Sequence, residues 1–205
     1  MKKALIIFIR NPIAGEVKTR LANTMGPEKA LLIYKILLQH TCEITEQLDC
    51  DKFVYYADFI NENDSWQNDN FHKRLQHGAD LGERMSNAFN QLFNEGYERL
   101  LIIGSDCLEL ESKLISHAFD VLDETDIVVG PSADGGYYLL GMKPPLLSFL
   151  FENKSWSTGS VLTETIKDLT TSGIRFELLV TLNDIDEEKD VPQYLLEQIN
   201  LDAES

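Results

Sequence analysis

The sequence predicts an α/β fold built on a mostly parallel sheet, and three observations carry that reading. Short apolar runs bounded by turn-formers recur along the chain, as strands buried on both faces require; Ala4 to Ile9 and Leu100 to Ile103 are the clearest. Between them lie stretches whose apolar residues recur at helical spacing. Strand and helix alternate over the first 130 residues, the pattern of βαβ units with right-handed crossovers. At 205 residues the chain fits one domain, 1–205, with enough material for a core that needs no disulfide or metal staple.

In chain order, Ala4 to Ile9 is a strand and Arg10 to Thr19 a loop punctuated by Pro12 and Gly15. The opening Met1 to Gly15 looks like a weak secretory leader, but Arg10 cuts its apolar run short, so it reads as a first strand. Pro27, at a first helical position, opens a helix to about Gln47 with Ala30, Leu31, Ile33, Tyr34, Leu37 and Leu38 on one stripe. Phe53 to Ala57 is a second strand, Asn61 to Asn70 a polar surface loop, and Phe71 to Gln76 a short third strand. Asp80 caps a helix to about Asn94 and Ser112 caps another through Leu122. Ile127 to Gly130 and Tyr137 to Met142 are two strands joined by a short Gly-rich segment, so one edge of the sheet is mixed there. Ser160 starts a helix to about Ser172, Phe176 to Val180 is a last strand, and Asp190-Val191-Pro192 opens a terminal helix ending near Ile199.

Eighteen basic against 34 acidic residues leave a formal charge of −16, which repels nucleic acid and anionic membranes. No apolar segment approaches the roughly 20 residues of a membrane-spanning helix. The distribution is more telling. Residues 1–40 carry seven basic side chains against Glu16 and Glu28, whereas the chain after Thr181 carries eight acidic ones and a single lysine, Lys189. A locally positive loop in an acidic protein suggests a specific small anion. Three cysteines without ligand spacing suggest a reducing, cytoplasmic setting.

Several stretches could carry chemistry. The loop Pro12 to Leu21 leaves a buried strand, and Gly15 lets backbone N–H groups turn toward an anion that Lys18 and Arg20 would grip. It matches neither general phosphate fingerprint, and a solvated basic loop is the plain alternative. In Gln76 to Met85, Gly82 permits close approach to a helix start and Arg84 could reach an anion; the alternative is a capped helix with an Asp80–Arg84 pair. Asp106, at the carboxyl end of the Leu100 strand, is a candidate metal ligand or catalytic group, or else the cap of the next helix. Asp134-Gly135-Gly136-Tyr137-Tyr138 offers a carboxylate to orient or deprotonate a hydroxyl beside glycines that mark close approach of a ligand or another backbone, and one of the two tyrosines faces the pocket. Asp184 and Asp186, on one face if extended, would complete with Asp106 an oxygen site for Mg²⁺ or Mn²⁺, or else form a solvated acidic helix start. Trp156-Ser157-Thr158-Gly159 is a further loop with an aromatic platform, equally readable as packing. No nucleophile elbow or Ser/His/Asp order is present.

Taken in order, Pro12-x-x-Gly15-x-x-Lys18-Thr19-Arg20-Leu21, Asp80 to Met85, Gly104 to Cys107, Gly130 to Leu139 and Asp184-Ile185-Asp186-x-x-x-Asp190 resemble the DUF2064 family of small GT-A-like proteins. These are often labelled glycosyltransferases associated with radical-SAM or arsenosugar gene clusters. The likeness runs from about Lys3 to Leu195. It implies a three-layer αβα, Rossmann-like GT-A fold with a mostly parallel mixed sheet, as in nucleotide-diphospho-sugar transferases and, more distantly, molybdenum-cofactor and 2-phospholactate nucleotidyltransferases. It also implies a nucleotide over the first half of the sheet and an acceptor over the second. Carried over, Pro12, Gly15, Lys18, Arg20, Gln76, Asp80, Gly82 and Arg84 would hold the nucleotide and its diphosphate. Gly135, Gly136, Tyr137 and Trp156 would meet the acceptor. Asp134 and Asp106 would be catalytic, and Asp106, Asp184 and Asp186 would hold Mg²⁺ or Mn²⁺. Leu108 stands where the family often has proline, and the second aspartate of a GT-A Asp-x-Asp is absent. The expectation is a metal-assisted transferase, a glycosyltransferase using a nucleotide-diphospho-sugar donor and a small-molecule acceptor. Its rivals are a nucleotidyltransferase that releases pyrophosphate and a non-catalytic nucleotide or sugar-phosphate binder.

Overall fold

The computed structural model describes residues 2–156 and 158–203, so Ser157 of the aromatic-platform loop lies outside the described residues. Strands β1 (Lys3–Ile9), β2 (Asp51–Tyr56), β3 (His72–Leu75), β4 (Arg99–Ile103), β5 (Ile127–Pro131), β6 (Tyr137–Met142) and β7 (Phe176–Leu178) form one sheet in the order β3-β2-β1-β4-β6-β5-β7. β6 is antiparallel to both of its neighbours and all other pairings are parallel. The expected mixed region is therefore not an edge, because β6 inserts between β4 and β5. A hairpin from β5 can only return antiparallel, and the free side of β4 was the place for it.

Helices α1 (Thr19–Met25), α2 (Pro27–Glu46), α3 (Leu81–Asn94), α4 (Ser112–Glu124), α5 (Val161–Thr171) and α6 (Gln193–Ala203) cover the sheet. Successive strand side chains point to opposite faces, so each apolar run feeds two cores. Leu5, Ile7, Leu101 and Ile103 pack against Cys42 of α2 and Ile115, Ala118 and Leu122 of α4. Ala4, Ile6, Leu100 and Ile102 pack against Met85, Phe89 and Leu92 of α3 and Leu169 of α5. The outer face of α2 is closed by Leu21 of α1 and Leu195 and Ile199 of α6. This is the three-layer αβα arrangement the sequence implies.

Several caps fall elsewhere than expected. Asp80 does cap α3, accepting from the Glu83 N–H at 2.8 Å. Ser112 instead lies inside α4 and donates to the Ile44 carbonyl, tying α4 to α2. Asp190 closes a 3-10 turn (Glu188–Asp190) by a capping box with Glu187, ahead of α6. Nor does the sequence pattern show any sign of α1, a helix of seven residues ended by Gly26 at φ 86°. It is too short to show a periodic stripe.

Candidate active site

The chain reverses direction across the sheet between β1 and β4. From β1 it moves out to β2 and β3, then returns to β4 on the other side. A crevice outside the carboxyl ends of strands at such a point is where open α/β sheets bind ligands. A cavity of about 640 Å³ lies there. It is lined by Arg10, Lys18 and Arg20 from the segment after β1, Gln76 after β3, and Asp80 and Arg84 at the start of α3. Asp106 after β4, Asp134, Gly136 and Tyr137 before β6, Trp156, and Asp184 and Asp186 after β7 complete the lining used below. Residues spread from position 10 to 186 thus share one space. Pro12, Gly15, Gly82 and Gly135 do not line it.

Lys18 is the centre of this site. Its Nζ lies 2.9 Å from Asp106 Oδ1 and 2.9 Å from Asp186 Oδ1, and its side chain is only 5% exposed. Its backbone is left-handed, φ 47° and ψ 47°, an uncommon state for a non-glycine residue that is held where it aims the side chain inward. Burial works against its charge, but the two facing carboxylates prevail and hold its pKa above that of ordinary lysine. Arg20, 61% exposed, stands 3.8 Å from the other oxygen of Asp186. Asp106 is therefore a partner of Lys18, not the cap of α4, which begins only at Ser112.

The frame around this pair is well tied. The Tyr34 hydroxyl of α2 accepts from the Arg10 N–H at 2.8 Å, with the Arg10 carbonyl at 3.1 Å and Ser105 Oγ at 3.3 Å, so one phenol joins the ends of β1 and β4. The Ile185 N–H donates to the Asp106 carbonyl at 2.9 Å, and Asn183 is held by Glu109, which brings the chain after β7 to β4. Asp184 goes elsewhere than Asp186. Its Oδ2 accepts from Ser132 Oγ at 2.6 Å, and its pKa is pushed up to about 6, chiefly by burial and then by the charges of Asp106 and Asp134. Asp134 Oδ1 accepts from the Gly136 N–H at 2.8 Å.

These positions bear on Mg²⁺ or Mn²⁺ directly. Among the described residues no three His, Cys, Asp or Glu side chains converge closely enough to hold an ion. Asp106 and Asp186 are both engaged by Lys18 at hydrogen-bond distance. As arranged, the carboxylates do not fit the expected ion, because an ammonium takes the position between them.

The two glycine readings resolve into packing. A Cβ on Gly82 would enter the Trp156 indole and the Phe151 carbonyl, and one on Gly135 would enter the backbone of Gly159. The groups that approach so closely belong to the chain itself. Gly15 sits exposed with nothing near it. Arg84 donates from Nε to the Gly78 carbonyl at 3.2 Å, and among the described residues it forms no ion pair with Asp80. Tyr137 places its hydroxyl 3.9 Å from Met85 Sδ, while Tyr138 is buried, bonded to the Val180 carbonyl and lodged against Gly130. Arg10, Tyr34, Ser105 and Ser132 are not among the site residues expected from the sequence. Tyr34 sits within an apolar helical stripe, and neither serine has the surroundings of a nucleophile.

Fold and crevice together define a class: the α/β architecture shared by nucleotide-diphospho-sugar transferases and cytidylyltransferases. Residues 40–158 match the model of DUF2064, described as an uncharacterized protein conserved in bacteria, and the chain belongs to that family. It is similar to the crystal structure of a "putative nucleotide-diphospho-sugar transferase" from Desulfovibrio desulfuricans G20, with a TM-score of 0.87 and 26% identity over 98% of this chain and 96% of that one. A cytidylyltransferase from Leptospira borgpetersenii serovar Hardjo-bovis shares the fold at TM-score 0.61 and 13% identity, over 100% and 96% of the two chains. A 4-diphosphocytidyl-2C-methyl-D-erythritol synthase does so at 0.58 and 14%, over 97% and 98%. No curated protein matches the chain.

Proposed function

We propose that this protein is a transferase acting on a nucleotide-activated donor, most simply a nucleotide-diphospho-sugar. The observation that supports this best is the Lys18 ammonium held at the sheet's switch point, inside a cavity whose one end offers Gln76 and Arg84 and whose other end offers Tyr137 and Trp156. In this reading the base lies over β1, β2 and β3, the diphosphate over Lys18 and Arg20, and the sugar and acceptor toward β6. The bond between the sugar carbon and the diphosphate oxygen breaks, and the acceptor oxygen bonds to that carbon. The hydroxyl proton passes to a carboxylate, for which Asp134 is the candidate. Lys18 and Arg20 take up the charge that develops on the departing nucleoside diphosphate. Mg²⁺ or Mn²⁺ assistance, as the family resemblance implies, requires Lys18 to leave the Asp106–Asp186 pair.

Product analysis tests the proposal. A panel of nucleotide-diphospho-sugars, with and without Mn²⁺, should yield a nucleoside diphosphate and a glycosylated acceptor. Pyrophosphate released from a nucleoside triphosphate would replace this reading with nucleotidyl transfer. Tight binding without turnover under every condition would leave a non-catalytic binder. A reducing cytoplasmic setting suits the three free thiols, Cys42, Cys50 and Cys107, whose pKa values burial pushes up. No helix among the described residues is long and apolar enough to cross a membrane.

A further inference from the structure

We infer that Gln76 reads the nucleobase, its side-chain oxygen acting as a fixed acceptor for an N–H on the edge of the base. This rests on the nucleotide-donor reading above. Gln76 stands immediately after β3, and both N–H bonds of its amide are committed. Nε2 donates to the Ile9 carbonyl at 3.1 Å and to the Tyr55 carbonyl at 2.9 Å, bridging the carboxyl ends of β1 and β2. Two carbonyl oxygens can be faced only by the amino end of the amide, since the flipped orientation would set three oxygens against one another. Oε1 is left as the only polar atom of the side chain without a partner among the described residues. Because Gln76 is half-buried and lines the cavity, that oxygen is what the cavity is offered.

The surroundings suit a flat heterocycle. Phe8, tilted against Tyr55 with ring centroids 5.6 Å apart, supplies an aromatic wall, and Ala57, Met85 and the exposed Leu81 supply apolar ones. Arg84 directs Nε to the Gly78 carbonyl and keeps its terminal amino groups as donors. One locked acceptor and a guanidinium in an apolar slot complement a ring edge that carries an N–H beside an acceptor.

Binding of UDP, CDP, ADP, GDP and inorganic pyrophosphate, measured by calorimetry, tests the inference. The wild type should prefer one base by at least tenfold, and methylating the edge N–H of that preferred nucleotide should remove the preference. Gln76→Met should bring the ratio between bases toward one while leaving pyrophosphate affinity within about twofold. A Gln76→Met protein that keeps the wild-type base ratio, or that weakens all nucleotides and pyrophosphate alike, assigns Gln76 a merely structural role and overturns the inference. The methylated nucleotide tests the same point on the wild type, should the variant fail to fold; undiminished binding of it would overturn the inference too. No nucleotide binding by the wild type would defeat the donor reading together with this one.

Discussion

Asp184 is the place where the site works against the fold, and replacing it by asparagine should make the protein more stable. Its carboxyl is largely withdrawn from water and faces Asp106 and Asp134, so its pKa is pushed up to about 6 from an ordinary value near 3.8. A raised carboxylate pKa means the fold prefers the protonated form. The stability tied to this group is therefore present below the unfolded pKa and is lost as pH rises through about 6. At 1.36 kcal/mol per unit the difference amounts to about 3 kcal/mol at pH 8. An asparagine side chain there would keep an oxygen to accept from Ser132 Oγ and would carry no charge. Urea denaturation of wild type and Asp184→Asn at constant ionic strength, with chelator present, gives the measurement. The two should be nearly equally stable at about pH 3, below the unfolded pKa, with the variant ahead by about 1 kcal/mol at pH 4.5 and by about 2–3 kcal/mol at pH 8. A variant no more stable than wild type at pH 8, or a gain independent of pH, would refute the reasoning.

Lys18→Met leaves Asp106 and Asp186 facing each other with only the exposed Arg20, 3.8 Å from Asp186, as a cation. A fully buried pair would lose about 3–5 kcal/mol, but these carboxylates are 46% and 35% exposed, so about 1–3 kcal/mol is expected in urea melts at pH 7, with transfer reduced by about 10²-fold or more. Gly82→Ala gains about 1 kcal/mol in helix propensity but forces the Trp156 indole aside, so a net loss of about 1–2 kcal/mol should accompany a red shift of tryptophan emission, since Trp66 is buried elsewhere. At alkaline pH, burial holds Tyr34 near 12 and raises Tyr137, and Lys18 is raised by its carboxylates. All three contribute stability that is present below about pH 10 and is lost above it. Absorbance of the buried tyrosinates at about 295 nm should then rise together with unfolding; a rise in protein that is still folded would contradict this.

Where burial is strong, the sequence was enough. The apolar runs of β1 and β4 and the stripes of α2 and α3 appear within a residue or two of their expected bounds, because two-sided burial leaves no other composition possible. The chemistry-bearing residues were legible as types and not as pairs. Lys18, Asp106, Asp134, Asp184 and Asp186 do share a cavity, yet nothing in the spacing told that Lys18 would bridge Asp106 and Asp186 while Asp184 turned to Ser132. That outcome depends on where the β7 extension crosses β4, through the Ile185 N–H and Asp106 carbonyl bond, a tertiary fact with no local trace. The glycines were legible in part, for a related reason. A glycine reports close approach and not the identity of what approaches, and at Gly82 and Gly135 the visitor is the chain itself.

Three uncommon features of this molecule meet at the carboxyl ends of the strands, around the switch point. A left-handed lysine, a carboxylate near the middle of the pH scale and a tyrosine whose hydroxyl, among the described residues, meets only a thioether all lie around the same cavity. Away from it, the central strands bury apolar residues on both faces. Such a division is expected when a fold holds a site that its own packing would not choose. Lys18 is the clearest case. Its ammonium is desolvated against two carboxylates that are themselves partly in water, so breaking that pair costs less than breaking a fully buried one would. An anion that supplied better acceptors to Lys18, while releasing Asp106 and Asp186 to solvent or to a cation, would relieve the arrangement. In the transferase reading proposed above, the diphosphate of the donor is the anion that would do so.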